Sequence, residues 1–415
     1  MSKARTIAVL GGGVSGLTFA ATLRERGGPR AVVFEREARV GGKSCTIEID
    51  GRPHDMGATM GVPIDYRRVL DFSRAAGIEL DRFPEERHWC LERGEPVSLN
   101  KKRELPKVLA QAARYMWLHA TKWRGVNGTG LHHAQSELHT TWSELVKRDG
   151  LEAVSDRTLV YRAGYGYGFD DEVPAVMYAN LFRPQTFLGL TFRPSFVWRG
   201  GTQRIWETLA KDLDVRTSTP IERIERDADG VTVHSNAGKE RFDELVITTN
   251  PSDALPLLDA RDDERRWFTQ VRTWPYATFA CAVPGLDEGR TGVGYINANM
   301  RKDREGHPMA WVKRHADHDV AIFHLFAPPH LSDDQIAERI AGDVKRLGGR
   351  LDKVHVARRW KFFPHFTSAF MQSGGLQEVE RWQGTQRTWL IGEVLSFASM
   401  GRVAELATSL ARRLS

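Results

Sequence analysis

Short apolar runs near the N-terminus alternate with a glycine turn and a segment of helical spacing. Thr6 to Leu10 (TIAVL) is a β-branched run that stops at Gly11. Apolar residues then recur at helical spacing from Leu17 to Leu23, and Ala31 to Phe34 (AVVF) is a second strand-like run. This pattern predicts a strand, a glycine turn, a helix and a second strand in the first 35 residues.

The pattern changes twice farther along the chain. A long stretch of helical spacing rich in Trp, Tyr and Arg comes first, strand patterns return at Ile221, Val231 and Glu244, and alternating apolar runs such as Thr278 to Val283 follow. The predicted fold class is α/β, with a Rossmann-type dinucleotide domain and an inserted α+β substrate domain. The cofactor domain is predicted to comprise residues 1–60, 200–255 and 375–415, and the substrate domain, a mostly helical cap plus a mixed sheet, residues 61–199 and 256–374.

Three glycines form a dinucleotide fingerprint between the first strand and helix. Gly11, Gly13 and Gly16 spell G-x-G-x-x-G, with Val14 and Ser15 between the last two. Such glycines permit a tight turn, close approach of the pyrophosphate and close helix packing, while the helix N-terminus faces the anion. The sequence therefore predicts that this turn binds an adenine dinucleotide.

An acid and a second glycine loop extend the predicted binding site. Glu35, with Arg36 beside it, ends the second strand 24 residues after Gly11, where a carboxylate accepts the ribose hydroxyls and disfavours a 2′-phosphate. Gly41, Gly42 and Lys43 lie in the loop RVGGKS that follows. A double-glycine loop flanked by cations can lie against the far phosphate and ribityl chain, which favours FAD over NAD.

These motifs together resemble the FAD-dependent amine oxidase and phytoene desaturase superfamily. The resemblance implies a GR2-like FAD domain in which DMGA at Asp55–Ala58 passes near the flavin, Ile221 contacts the adenine, and Gly392 and Glu393 meet the ribityl and phosphate region. The predicted FAD-binding residues are Gly11, Gly13, Val14, Ser15, Gly16, Glu35, Arg36, Gly42, Lys43, Gly57, Ala58, Thr59, Met60, Ile221, Gly392, Glu393, Gly401 and Val403. No cysteine lies near the C-terminal element, so we expect FAD to be bound noncovalently.

A narrower resemblance is to bacterial FAD-dependent polyunsaturated fatty acid (linoleate) isomerases. Its motifs are DMGATMGVP at 55–63, GYGYGFDDEVP at 164–174, NMRKDREGH at 299–307, FPH at 363–365 and GEVLSF at 392–397. The resemblance implies that flavin N5 takes a hydride from an allylic or bis-allylic carbon of a lipophilic unsaturated carboxylate or polyene and returns it elsewhere, which shifts a double bond. The alternatives are an FAD-dependent oxidase or desaturase acting on an amine or a C–C bond, and a non-catalytic flavin-binding protein.

The sequence offers fewer candidates for substrate binding than for cofactor binding. The narrower resemblance places Arg87 as the anchor of a substrate carboxylate, and the alternative is an ordinary surface arginine. Aromatic side chains either line a tunnel or form core; they are Tyr165, Tyr167, Phe169, Phe192, Phe196, Trp198, Trp360, Phe362, Phe363 and Phe366. Lys313 and Lys361 are candidates for the lysine that holds a water near N5 in many amine oxidases.

Composition and charge narrow the possible partners. A formal net charge of +6 without a recognisable basic motif argues against nucleic-acid binding and suits an anionic substrate. Cys45, Cys90 and Cys281 have no paired spacing, and no stretch of about 18 apolar residues occurs, so we expect a cytoplasmic protein without a transmembrane segment. The histidine pairs His132–His133 and His315–His318 lack further ligands, so no metal site is predicted.

One basic amphipathic segment leaves two interpretations open. Lys101 to Arg124 carries apolar residues at helical spacing with seven cations elsewhere on it. It is interpreted first as a substrate-domain helix with a solvated face. The alternative is a peripheral contact with a membrane surface that supplies a lipid.

Overall fold

The computed structural model of the protein describes residues 5–98, 104–186 and 195–415. Its strands are β1 (Thr6–Leu10), β2 (Arg30–Phe34), β3 (Thr46–Ile49), β4 (Arg52–Asp55), β5 (Leu80–Arg82), β6 (Glu86–Cys90), β7 (Glu95–Val97), β8 (Phe196–Trp198), β9 (Asp214–Arg216), β10 (Ile221–Arg226), β11 (Val231–Ser235), β12 (Gly238–Phe242), β13 (Glu244–Ile247), β14 (Val271–Ala282), β15 (Gly292–Tyr295), β16 (Ala310–Lys313), β17 (Val320–Phe326), β18 (Lys353–Phe366) and β19 (Thr388–Leu390).

The α-helices in the described part of the chain are α1 (Val14–Glu25), α2 (Arg67–Ala75), α3 (Leu105–Thr121), α4 (Trp142–Asp149), α5 (Glu152–Arg162), α6 (Ala175–Leu181), α7 (Gln203–Ala210), α8 (Pro251–Ala254), α9 (Asp262–Phe268), α10 (Asp333–Arg346), α11 (Ser368–Gln372), α12 (Gly375–Trp382) and α13 (Met400–Leu414). Short 3-10 turns lie at Arg124–Asn127, Leu131–His133, Ser136–Leu138, Leu255–Leu257, Asn297–Asn299, Lys302–Arg304, Thr385–Arg387 and Glu393–Leu395. None of the described helices combines the length and the apolar character needed to cross a bilayer.

A five-stranded parallel sheet confirms the predicted α/β fold. Its order is β19-β13-β1-β2-β9, and every neighbouring pair is parallel. The predicted first strand matches β1 residue for residue, because its β-branched run is buried on both faces of the sheet. Helices α1 and α13 pack side by side over this sheet, with Phe19 and Leu410 in one core cluster.

A three-stranded antiparallel sheet, β10-β11-β12, lies beside the parallel one. Strands β10 and β11 begin at Ile221 and Val231, where the sequence predicts strands. The ring of Phe242 meets that of Phe34 edge to face, with centroids 5.8 Å apart, and joins the two sheets.

The second large sheet is mixed, with the order β18-β14-β17-β16-β15-β6-β7. Along β14, Ala277, Phe279 and Cys281 face a core that includes α10, whereas Tyr276 and Thr278 point to the opposite side. That opposite side is the floor of a cavity. Alternate residues of the predicted apolar runs therefore face the core on one side of the sheet and the cavity on the other.

The stretch before residue 200 contains strands that the sequence pattern did not predict. β6 and β7 form the edge of the seven-stranded sheet, and β5 pairs with β8. β6 has the sequence ERHWC, with no apolar run, and it pairs with β15 about 200 residues later along the chain. Local periodicity carries no signal for such a pairing, because its stabilisation comes from tertiary contacts.

Candidate functional site

A large cavity of about 1640 Å³ lies between the parallel sheet and the mixed sheet. Residues that follow β1 and β2 line one end, and Tyr295 of β15 and Val312 of β16 line the other. Small-molecule pockets typically measure roughly 300–1,000 Å³, so there is room for a dinucleotide and a second molecule. The carboxyl ends of parallel strands are also where open α/β sheets bind ligands.

The turn between β1 and α1 fits an anionic group. Gly11, Gly13, Val14 and Ser15 line the cavity, and the first turn of α1 has no acidic side chain. The Ser15 hydroxyl is buried and has no hydrogen-bond partner among the described residues. A buried hydroxyl that faces a cavity at a helix N-terminus is suited to a phosphate oxygen.

Two predicted glycines contribute close packing and do not line the cavity. A Cβ atom on Gly16 would lie 2.1 Å from the carbonyl oxygen of Gly11, so any side chain would push α1 off the turn. A Cβ atom on Gly401 would lie 2.1 Å from the carbonyl oxygen of Asp65. Both glycines therefore act through the position of the backbone around the cavity.

Glu35 is held at the end of β2 by backbone donors. Its Oε2 accepts from the N–H of Gly12 at 2.8 Å, and its Oε1 accepts from the N–H of Glu37 at 2.8 Å. The N–H of Thr219 donates to the Glu35 carbonyl at 2.9 Å, which brings the start of β10 and Ile221 to the same wall. A fixed carboxylate beside an apolar side chain suits a ribose and its base.

The second glycine loop docks on the first. The N–H of Gly41 donates to the carbonyl of Gly12 at 2.8 Å, and a Cβ atom on Gly42 would lie 3.2 Å from the Cα of Gly13. Lys43, at the end of this loop, forms an ion pair with Glu393 from the C-terminal segment. The sequence predicts both residues as ligands of one cofactor, and the structure brings their charges together at the cavity wall.

The DMGATM segment is anchored by a buried carboxylate. Asp55 accepts from the N–H of Thr202 at 2.9 Å and from Nη1 of Arg314 at 2.9 Å, and it is fully enclosed. The N–H of Ala58 donates to the carbonyl of Lys43 at 2.9 Å. These bonds fix the backbone that follows, so that the segment forms part of the cavity wall.

The structure gathers nearly all of the predicted cofactor residues at this cavity. Those that line it are Gly11, Gly13, Val14, Ser15, Glu35, Arg36, Gly42, Lys43, Gly57, Ala58, Thr59, Met60, Ile221, Gly392, Glu393 and Val403. Helix α13 begins beside the wall with Ser399 as its cap, whose Oγ accepts from the N–H of Arg402 at 3.3 Å. The donors, the acid and the glycine turns fit an adenine dinucleotide that extends past the second loop.

The other end of the cavity contains a cluster of one acid and three tyrosines. Glu86 accepts from the hydroxyls of Tyr161 at 2.8 Å and Tyr295 at 2.7 Å. The hydroxyl of Tyr295 lies 2.9 Å from that of Tyr165, which also reaches Sδ of Met60 at 3.2 Å. Burial raises the pKa of all three phenols, with the Glu86 charge as a further cause, so they are neutral donors near pH 7. We call these four residues the Glu86 cluster.

Arg87, predicted to anchor a carboxylate, lies outside the large cavity. Its guanidinium pairs with Asp287 and, at 2.7 Å, with Glu85, and its side chain is 11% exposed. It lines a smaller recess of about 410 Å³ with His88 and neighbouring residues. Its role as an anchor therefore stays a prediction, and its observed contacts are those of a structural ion pair.

Arg82 is the cation that the sequence analysis missed. It lies at the end of β5, lines the large cavity, and has no ion pair or hydrogen bond of its side chain among the described residues. Glu86, Tyr161 and Tyr295 were missed as well, because they belong to no motif. The one available signal was Glu86 itself, a charged residue at the start of the half-buried β6.

The aromatic candidates separate into lining and core. Tyr165, Tyr167, Trp360 and Phe362 line the cavity, whereas Phe169, Phe196, Trp198, Phe363 and Phe366 are buried in core clusters. Phe192 lies outside the described residues, as do Lys101, Lys102 and Arg103 of the basic segment.

The lysine and cysteine candidates lie in different places. Lys361 lines the cavity and pairs with Asp253, while Lys313 is fully buried with its Nζ 3.3 Å from the carbonyl of Leu286, outside the lining. Cys45, Cys90 and Cys281 are free thiols, and none is among the described lining residues. Among the described residues no cluster of three or more His, Cys, Asp or Glu is arranged to hold a metal ion.

Comparison with solved structures shows similarity over the whole chain. A CLA-producing fatty acid isomerase from P. acnes superposes with a TM-score of 0.92 at 29% identity, covering 100% of this chain and 99% of that one. Putrescine oxidase bound to putrescine gives a TM-score of 0.75 at 15% identity, with 99% of both chains covered. Cyclohexylamine oxidase from Brevibacterium oxydans IH-35A gives 0.74 at 14% identity, also with 99% of both chains covered. At such identities the two oxidases show the fold alone.

Sequence comparison gives the family. No curated protein sequence matches this chain. The family model for flavin containing amine oxidoreductases matches residues 14–399, which include the second glycine loop, the Asp55 segment and most of the C-terminal element. The fingerprint, the acid at the end of β2 and this match identify the cofactor as FAD. The chain belongs to the family of flavin-containing amine oxidoreductases.

Proposed function

We propose that this protein is an FAD-dependent isomerase that shifts a double bond in a lipophilic unsaturated carboxylate or related polyene, without net oxidation. The observation that carries the proposal is the similarity to a fatty acid isomerase, at 29% identity and a TM-score of 0.92 over the entire chain. The two amine oxidases compared above have about half that identity and clearly lower TM-scores.

The proposed cofactor contacts follow the lining of the cavity. The N-terminus of α1 and the Ser15 hydroxyl hold the pyrophosphate, Glu35 accepts from the ribose, and Lys43 with Glu393 adjoins the ribityl chain. FAD is noncovalent in this proposal, which the absence of cysteine from the described lining supports. We also propose the cofactor domain (1–60, 200–255 and 375–415) and the substrate domain (61–199 and 256–374) as separate units, supported by the origin of the strands in the two large sheets.

The wall beyond the cofactor suits an apolar chain. It is lined by Val62, Phe83, Val293 and Val312, together with Tyr165. Bound flavin supplies the hydride chemistry, with hydride leaving one carbon beside a double bond and returning to another. The protein orients the chain, excludes water and holds the polar end. Three free cysteines support a reducing, cytoplasmic location.

The polar end of the substrate requires a cation, and we propose Arg82. Arg82 is an exposed residue that lines the cavity, and its side chain is not engaged by a described acid, in contrast to that of Arg87. A planar guanidinium binds a carboxylate through two parallel hydrogen bonds. We therefore propose Arg82 as the anchor, and Arg87 stays the alternative that the sequence predicts.

A second candidate function is oxidation of an amine, and the Glu86 cluster favours it. A carboxylate that faces the cavity attracts a cation and repels a carboxylate. The fold is shared with putrescine oxidase and cyclohexylamine oxidase. The hydroxyl of Tyr165, a member of the Glu86 cluster, contacts Sδ of Met60. An ammonium or hydroxyl group bound at Glu86 would therefore place the substrate near Met60.

A substrate panel decides between the two. The purified FAD-loaded enzyme is incubated without oxygen with unsaturated carboxylates, their methyl esters, and aliphatic mono- and diamines. Mass and double-bond position are then determined for each product. A product of unchanged mass with a moved double bond supports the isomerase. Loss of two hydrogens from a carbon chain, or turnover of amines alone once oxygen is admitted, contradicts it.

A further inference from the structure

Helix α3 presents an apolar surface to solvent. Leu105, Leu109 and Trp117 are 50%, 60% and 55% exposed, and among the described residues Leu80, at 42%, is the only other large apolar side chain so exposed. Three of these four side chains belong to one helix. Scattered exposed leucines need no explanation, but a cluster of them on one element marks an interaction surface.

The exposed residues share one side of the helix. At about 100° per residue, Leu105, Leu109, Ala113 and Trp117 fall in a sector of about 120°, and the exposed Ala110 lies next to it. We call these five residues the α3 apolar face. It is continuous over about three turns of the helix.

Contacts on the opposite side fix the rotation of α3. The rings of Tyr115 and His119 are 4.7 Å apart, and both pack against Trp123 at 5.6 and 5.2 Å. Oε1 of Gln111 accepts from the N–H of Ala153 at 2.7 Å, at the start of α5. The helix is therefore held by one face, and its outward face is set by that packing.

The charge within α3 has one sign, and the exposed Glu104 caps the start of the helix. Residues 105–124 contain Lys107, Arg114, Lys122 and Arg124 and no Asp or Glu, and all four cations are exposed. Arg114 and Lys107 lie about 60° and about 80° beyond Trp117, which forms one edge of the apolar sector. The one described acid that bonds the helix side chains is Glu152, which accepts from Gln111 at 3.2 Å, away from the apolar face.

We infer that the α3 apolar face docks on the surface of an anionic lipid bilayer. Exposed Leu and Trp side chains insert at the boundary between headgroups and acyl chains, and flanking cations pair with anionic headgroups. A second copy of the chain fits less well, because a symmetric contact would bring together four cations from each helix against the single acid Glu104 at each helix start. The inference does not depend on which substrate the enzyme takes.

The helix is connected to the wall of the cavity. The 3-10 turn Arg124–Asn127 follows α3 and packs against α6, and Nε2 of Gln185 donates to Oδ1 of Asn127 at 3.3 Å. Asn180 and Phe182, at the end of α6, line the cavity. A bilayer bound at α3 would therefore lie one layer of structure away from the cavity wall.

Sedimentation with vesicles tests the inference. The FAD-loaded full-length protein is mixed with sucrose-loaded vesicles of phosphatidylcholine alone, or with phosphatidylglycerol added, and the bound fraction is measured from flavin absorbance in the pellet. We expect binding to the anionic vesicles that weakens as salt rises, and little binding to phosphatidylcholine. The double variant L109A/W117A should weaken partitioning about tenfold or more, and R114E about fivefold.

Matched controls remove surface residues of the same kind elsewhere. L80A deletes the other exposed leucine, and K239E reverses an exposed cation on β12; both should bind as the wild type does. Alanine keeps the helix intact, which circular dichroism checks. Absence of wild-type binding, or equal loss in L80A and L109A/W117A, overturns the inference. So does a lipid-free dimer that L109A/W117A dissociates while vesicle binding is unchanged.

Discussion

Two arginines five residues apart differ in their surroundings, and substitution separates their roles. R82A should raise KM for an unsaturated carboxylate about tenfold, since it removes the proposed bidentate partner, and should leave KM for the methyl ester unchanged. R87A should leave both KM values near the wild type but destabilise the fold by about 2 kcal/mol, because Asp287 would lose its partner while 8% exposed. Steady-state kinetics and urea unfolding give the two readouts. A KM effect confined to R87A would restore the original anchor.

The carboxylate of Glu86 provides a second test at the residue level. E86Q keeps the shape of the side chain and removes its negative charge. If the substrate is a carboxylate, KM should fall about fivefold, since a like charge in the cavity is removed. If the substrate is an amine, KM should instead rise steeply. Y161F, which deletes one donor to Glu86 and leaves its charge, is the control and should change KM for the carboxylate much less.

Residue-level prediction was uneven between the two ends of the cavity. Gly11, Glu35 and Gly42 are found because phosphates and riboses require small residues and acids at fixed offsets within one short βαβ unit. Glu86, Tyr161 and Tyr295 meet only after β6, α5 and β15 have folded together. No local spacing encodes such a meeting, and the resemblance pointed to the neighbouring Arg87 instead.

At the level of elements, α1 depends on a helix position that tolerates no side chain. G16A should abolish FAD retention, because its Cβ would lie 2.1 Å from the Gly11 carbonyl and displace the helix N-terminus from the pyrophosphate. G342A in α10 is the matched control, since nothing lies within 4 Å of a Cβ there. It should raise the free energy of unfolding by about 0.5–1 kcal/mol. FAD content per protein and urea unfolding measure both effects, and full FAD content in G16A would refute the packing argument.

Element boundaries that depend on local sequence were predicted better than features that depend on tertiary packing. The bounds of β1 and the first residues of the strands at Ile221 and Val231 were predictable, because Gly11 closes β1 and the turn residues Pro220 and Gly230 precede the other two. Helix α3 was predicted as basic and amphipathic, but three large apolar side chains proved to be exposed on it together with its cations. Its buried face is built from Tyr115, Leu118 and His119, so hydrophobicity alone could not say which side faces inward.

For the whole molecule, buried histidines predict how stability depends on pH. Burial is the main cause that lowers the pKa of His54 to about 3, and that of His119 and His365 to about 4. The unfolded chain, with histidine pKa values near about 6.5, binds more protons below that pH, so stability is full above it and falls as the pH decreases.

Between pH 7 and pH 5 we expect the free energy of unfolding to decrease by about 4 kcal/mol or more, because each of these histidines contributes up to about 1.9 kcal/mol and burial also lowers the pKa of His324 to about 4. The carboxyls of Asp55, Glu305 and Glu380, whose pKa values are raised by burial, act in the opposite direction. Urea unfolding followed by circular dichroism at pH 7, 6 and 5 gives the measurement. A constant free energy over this interval would show that these histidines are not buried in the neutral form.

For the whole molecule, we propose that hydride taken from the substrate is returned to the same substrate. With an unsaturated carboxylate that the enzyme accepts, the most direct measurement is the initial rate of product formation with and without oxygen, together with peroxide produced per product. An isomerase should give equal rates, no peroxide, and a product of unchanged mass with its double bond moved. One peroxide per product, or turnover that stops when oxygen is removed, would contradict it.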